Sequence, residues 1–100
     1  MNVDIDIRSE EERQGAWLFI AAATVGGEQR EFVLRLSWVD YNYWSPDATD
    51  RPETVARAAM EVVLACMEAE DIPDEFDLAR VRLWNRDADE AVNAVLRGSP

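Results

Sequence analysis

The residues of this chain best equipped for chemistry are Trp38, Asp40, Tyr41, Asn42, Tyr43, Trp44, Ser45 and Asp47, a stretch in which four large aromatic rings fall within seven residues. Carboxylates, an amide and a hydroxyl interleaved with rings suit recognition better than bond making. Tyrosine and tryptophan offer broad, rigid contact area at low entropic cost and dominate binding hot spots. In small domains, however, large rings mostly belong to the core. Three readings follow. The rings close the open end of a core, with Asp40 or Asn42 bonding a bent backbone. Alternatively they stand out as a binding lip, or Trp38, Tyr41, Tyr43 and Trp44 line a pocket for a small ligand.

A second group is acidic. No basic residue lies between Arg57 and Arg80, while Glu61, Glu68, Glu70, Asp71, Asp74, Glu75 and Asp77 all fall there. A charge run of this kind usually solvates a helix end and a loop. Its sharper meaning is a docking surface for a basic partner, even an imitation of nucleic-acid phosphate, with association speeded by electrostatic steering. Glu68, Glu70 and Asp71 would crowd the negative end of a helix dipole, which costs a few tenths of a kcal/mol.

Other chemistries find little support. There is no histidine and a single cysteine, Cys66, so zinc sites, soft-metal sites and intrachain disulfides are excluded. Asp40, Asp47 and Asp50 lack the spacing of a calcium loop, with its mid-loop glycine and terminal glutamate. No histidine base, glycine-flanked serine or phosphate-cradling loop is present, and Asp40 with Asp47 offers only the carboxylate pair that any acidic protein has. The expectation is a non-enzyme with no metal and no cofactor.

Charge points the same way. The chain has 21 acidic and 10 basic residues, all of the latter arginine, for a net charge of −11. That argues against binding nucleic acid or an anionic membrane, which calls for basic patches. Absent lysine beside many alanines is the bias expected of a GC-rich bacterial genome. The acidic N-terminus does not read as a secretory signal, and the apolar run 16–25 is half the length of a membrane span. The expected setting is the cytoplasm, with Cys66 a small buried hydrophobe in a helix.

The elements that must position these residues can be read from periodicity. One hundred residues with 48% hydrophobic composition make one domain; a chain of this size buries roughly 65% of its unfolded surface. Val3, Ile5 and Ile7 alternate with Asp4, Asp6 and Arg8, as in a strand with one wet face. Residues 9–15 read as a polar break. The run 16–25, apolar on both faces, suggests a central strand covered on both sides. Gly26-Gly27 then predicts a type I′ hairpin into a strand over 28–39. The turn sets a register with Val25 opposite Glu28, Ala21 opposite Phe32, Phe19 opposite Leu34 and Trp17 opposite Leu36. One face then collects Trp17, Phe19, Ala21, Phe32, Leu34, Leu36 and Trp38. Strand length limits predict a bend near Asp40.

Asp50 is placed to cap a helix running from about residue 51 to about Glu70, with Pro52 in its first turn and Glu53 at the capping-box position. Residues 76–86 show no apolar helical face. As a strand, Val81 and Leu83 alternate with Arg80 and Arg82, which would stand opposite Asp6 and Asp4 of the first strand. A last helix spans Asp87 to Arg97, opened by an Asp87/Glu90 capping box and stopped by Gly98.

The fold expected is α+β: a three- or four-stranded antiparallel meander, one long helix on one face and a short C-terminal helix. The function expected is a small non-enzymatic interaction module (adaptor, inhibitor or immunity-like) that binds a basic partner and is a monomer or weak homodimer. The alternative is a small-ligand-binding domain with an aromatic pocket at 38–44.

Overall fold

A computed structural model describes residues 4–98. Strands β1 (Ile5–Arg13), β2 (Ala16–Val25) and β3 (Glu28–Ser37) form an antiparallel meander. Helices α1 (Trp38–Trp44) and α2 (Pro52–Cys66) follow, then a short strand β4 (Glu75–Asp77). Two brief helices, α3 (Val81–Trp84) and α4 (Ala88–Arg97), close the chain. The sheet order is β1-β2-β3-β4, and β4 runs parallel to β3. The class is therefore α+β, with a mostly antiparallel sheet, a long helix and a short C-terminal one. The fourth strand is parallel because the chain leaves β3 at its Ser37 end through two helices and crosses back toward the Glu28 end before re-entering the sheet, as a crossover connection requires.

The hairpin register of β2 and β3 is the expected one. Gly26 and Gly27 have φ of 61° and 84°, and Val25 opposes Glu28, Ala21 Phe32, Phe19 Leu34 and Trp17 Leu36. Phe19, Ala21, Phe32, Leu34 and Leu36 are buried on one face. Against it packs α2, through Val55, Ala56, Ala59, Met60 and Val63. Alanines on that helix face let its backbone approach the large rings of the sheet.

Several expectations are corrected. Residues 9–13 are not a break but the second half of β1. A bulge between Ile7 and Ser9 inserts Arg8 as an extra residue, and the true turn is Gln14-Gly15, with φ of 36° and 79°. A run of Ser9, Glu10, Glu11 and Glu12 has no apolar alternation to betray a strand, because it lies exposed at the sheet edge. Val3 lies outside the described residues. The sheet is covered on one face only: Leu18 and Val33 are half-buried and Ile20 is exposed on the other. Strand β3 stops at Ser37, so the bend falls there rather than at Asp40, and Trp38 starts a helix instead of extending the core face.

Helix α2 ends at Cys66, where the thiol is exposed instead of buried, and a separate 3-10 turn holds Ala69–Asp71. Asp50 does not cap α2. Arg51 occupies the cap position without a side-chain bond, while the Asp50 carboxylate accepts a hydrogen bond from the Ser45 hydroxyl at 2.9 Å. Asp87 likewise makes no side-chain cap on α4, although Gly98 ends that helix in the left-handed region as expected. Residues 76–86 are not a strand beside β1. Only Glu75–Asp77 pairs, with β3; then come a 3-10 turn (Leu78–Arg80) and α3. Leu78 and Val81 are buried, which supplies the apolar side that the helical wheel concealed by spanning two short helices.

Candidate functional site

Helix α1 turns sharply off β3 because Ser37 caps it: the Ser37 hydroxyl accepts from the Asp40 backbone N–H at 3.0 Å. The Trp38 N–H donates to the Gly15 carbonyl at 2.9 Å, tying the turn to the β1–β2 hairpin. Asp40 sits in the first turn, where the helix dipole favours its charge. The helix then divides its rings. Trp44 is fully buried, and Tyr41 is half-buried, donating its hydroxyl proton to the Asp50 carbonyl. Trp38, Val39 and Tyr43 stand out in water, 44%, 77% and 61% exposed. Trp17 steadies the inner side, its ring centroid 5.2 Å from Tyr41 and 6.3 Å from Trp38.

At the centre of this corner is Arg82, which the sequence reading placed opposite Asp4 of the first strand and which the structure pairs with Asp40 and Asp89 instead. Its guanidinium donates to Asp40 Oδ1 and, through Nε, to Asp89 Oδ1, both at 2.8 Å. The Trp44 indole N–H donates to the same Asp89 oxygen at 2.7 Å. The guanidinium also lies 4.8 Å from the Trp44 ring centroid and 5.7 Å from that of Tyr43. Partial burial opposes the charge of Arg82, yet the bonds and attraction of Asp40 and Asp89 outweigh it and hold its pKa above the ordinary arginine value. One side chain from α3 thus locks α1 to α4. The signal that could have found this role is weak: Arg82 is one of three arginines close together in sequence (Arg80, Arg82 and Arg86), in a segment read as strand.

Two shallow grooves flank Tyr43. One, of about 290 Å³, is lined by Val39, Asp40, Tyr43, Arg82 and Asp89. The other, of about 270 Å³, is lined by Tyr43, Trp44, Asp89, Glu90 and Asn93. Of the four rings expected to line a pocket, Tyr43 and Trp44 reach these grooves. Asn42 and Asp47 are exposed, Asn42 on α1 and Asp47 in the loop after it. Asp40 and Asp50 are turned to different partners, Arg82 and Ser45. Among the described residues no three His, Cys, Asp or Glu side chains gather as metal ligands.

The acidic group lies at the other end of β3. Arg30 donates to the Ala69 carbonyl at 2.7 Å, the Ile72 carbonyl at 2.8 Å and the Asp74 carboxylate at 2.6 Å. Ala69 also packs on Gly26, where an added Cβ would stand 3.2 Å from the alanine methyl. This pins the α2–β4 connection to the β2–β3 hairpin and leaves Glu68, Glu70, Asp71 and Glu75 exposed. Asp77 is consumed by Arg35 at 2.6 Å and by capping the Ala79 N–H. From Arg30 to Trp38 is eight residues of strand, about 26 Å at the usual rise. The structure therefore separates the candidate residues into an α1 group (Asp40 to Asp47) and a hairpin-end group (Glu68 to Glu75).

Glu61 belongs to neither. It lines a cavity of about 440 Å³ between α2 and α4 with Val62, Leu64, Ala65, Cys66, Asn85, Ala91 and Val95. Desolvation against the helix pushes the Cys66 thiol above its ordinary pKa, which makes it a poor nucleophile near neutral pH.

The arrangement defines a small α+β domain with a braced aromatic corner. Among the described residues, no helix is long and apolar enough to cross a membrane. Comparison with protein-family models, with curated proteins and with solved structures finds no match to this chain.

Proposed function

We propose that this chain is a non-enzymatic protein-interaction module that binds a basic protein partner, with the outer face of α1 as its aromatic contact. The observation that carries this reading is the exposure of Trp38, Val39 and Tyr43 on a helix whose opposite side is locked by Arg82, Asp40, Asp89 and Trp44. Exposed rings on a rigid support lose little entropy when a partner covers them.

Charge favours a basic partner. Seven of the ten arginines (Arg8, Arg13, Arg30, Arg35, Arg51, Arg82 and Arg97) already pair with carboxylates of this chain. Among the described residues, carboxylates without such a pair remain around the surface, including Asp47 and Glu90 near α1. Encounter with a cationic surface is then fast and salt-sensitive.

The test is capture from a lysate of the native host on immobilised protein, at low and high salt, beside Tyr43→Ala and Trp38→Ala variants. A protein retained at low salt, released at high salt and lost with Tyr43→Ala supports the reading. Absence of any salt-sensitive, Tyr43-dependent retention overturns it.

A further inference from the structure

Strand β1 is the free edge of the sheet, and its second half is open: every residue from Arg8 to Arg13 is exposed. Arg13 opposite Ala16 closes a two-residue turn as a mutually bonded pair, and bonding alternates from there. The amide groups of Ser9, Glu11 and Arg13 therefore point to β2. Those of Glu10 and Glu12 point outward, a row of unpaired donors and acceptors of the kind that templates another strand.

The side chains along this edge decide what can pair there. Arg8 is engaged by Asp6 and Glu31, and Arg13 by Glu11 at 2.7 Å, whereas Glu10 and Glu12 have no ion-pair partner among the described residues. The edge is left acidic at the two positions whose backbone faces out. A second copy of the chain fits poorly. Antiparallel pairing through the same amides sets Glu10 and Glu12 of the two copies against each other, and like charges directly opposite are destabilising. A basic strand meets both demands at once, since residues opposite Glu10 and Glu12 lie close on the same face.

We propose that the Arg8–Arg13 edge takes an extended basic segment of a partner protein as an added antiparallel strand, with arginine or lysine at alternate positions opposite Glu10 and Glu12. This deepens, and rests on, the reading that the protein binds a basic partner; it places main-chain recognition at the edge beside the aromatic contact of α1. The bulge at Arg8 limits the added strand to the open half, because it breaks the alternation of outward amides.

The probe is a short capped peptide alternating arginine and threonine, titrated into the isotope-labelled full chain at low salt. Arginines opposite Glu10 and Glu12 aim their own N–H groups at β1, so N-methylation of the arginine amides should weaken binding roughly tenfold or more, while N-methylation of the threonine amides changes it little. Both methylated peptides keep the charge. Combining Glu10→Gln with Glu12→Gln should weaken binding roughly tenfold and flatten its salt dependence. The amide resonances of Glu10 and Glu12 should shift and gain protection from exchange. If the two methylated peptides bind alike, or if the shifts centre on Glu68–Asp71 or Tyr43, the edge proposal is overturned while the basic-partner reading stands. Failure of the unmethylated peptide to bind also overturns it; the broader reading falls only on the lysate experiment.

Discussion

The two ends of β3 treat charge in opposite ways. At the Ser37 end, Asp40, Asp89 and Arg82 are spent on one another and on Trp44, and the result is a brace. At the hairpin end, Arg30 is spent mainly on backbone carbonyls, and Glu68, Glu70 and Asp71 are left in water. Carboxylates of the same type thus become structure in one place and surface in the other. Both arginines are partly buried; what separates the two ends is that the donors of Arg82 reach two carboxylates together. Arg30 reaches only one of its local acids, Asp74, whose side chain is itself largely exposed.

The comparison is broken most directly at adjacent rings. Trp44→Ala should cost about 3–5 kcal/mol of unfolding free energy, through lost burial and the cavity left behind. Tyr43→Ala, one residue earlier, should cost less than about 0.5 kcal/mol. Denaturant unfolding of both variants checks this, and similar losses would mean that the corner is not divided into core and surface.

Next in size is the brace. Arg82→Ala should destabilise by about 2–3 kcal/mol, because it leaves the Asp40 carboxylate, only 12% exposed, without its charged partner. A double-mutant cycle with Asp40→Asn should show clear coupling. Independent, additive losses would reduce Arg82 to a surface cation.

A smaller effect is expected at the hairpin end. Arg30→Ala should cost about 1–2 kcal/mol and speed amide exchange at Asp71 and Ile72, whose N–H groups close the 3-10 turn that it anchors. The least effect belongs to Glu70→Gln, within about 0.5 kcal/mol of wild type. A large loss there would show that the acidic connection is structural.

Much of the frame was legible before the fold was known. Gly26-Gly27 and the alternation around it carried the hairpin register, because a two-residue turn leaves one pairing that keeps the apolar set on one face. Pro52 and the apolar positions after it carried α2. The second half of β1 was illegible for the same physical reason turned round: an exposed edge strand buries nothing, so Ser9–Glu12 need no alternation. The short helices at 78–84 were hidden because each buries a single residue, Leu78 or Val81, too few to write a period.

The candidate site was legible in part. Its residues were named, as an aromatic group and a separate acidic group, but Arg82 was placed opposite Asp4 and not among them. Ser37 contributes most to that difference, since a cap at the end of β3 turns the rings into a helix rather than a longer strand.

By itself the sequence determined the meander's central hairpin, the long helix, the excess of acid and the want of histidine, lysine and paired cysteine. These are local or compositional properties, and no packing can change them. The tertiary structure alone decided which ring of Tyr41, Tyr43 and Trp44 faces water, which carboxylates Arg82 and Arg30 consume, and which edge keeps its amides free. Those outcomes depend on side chains some forty residues apart in the chain meeting at bonding distance, and sequence spacing does not record where a chain returns.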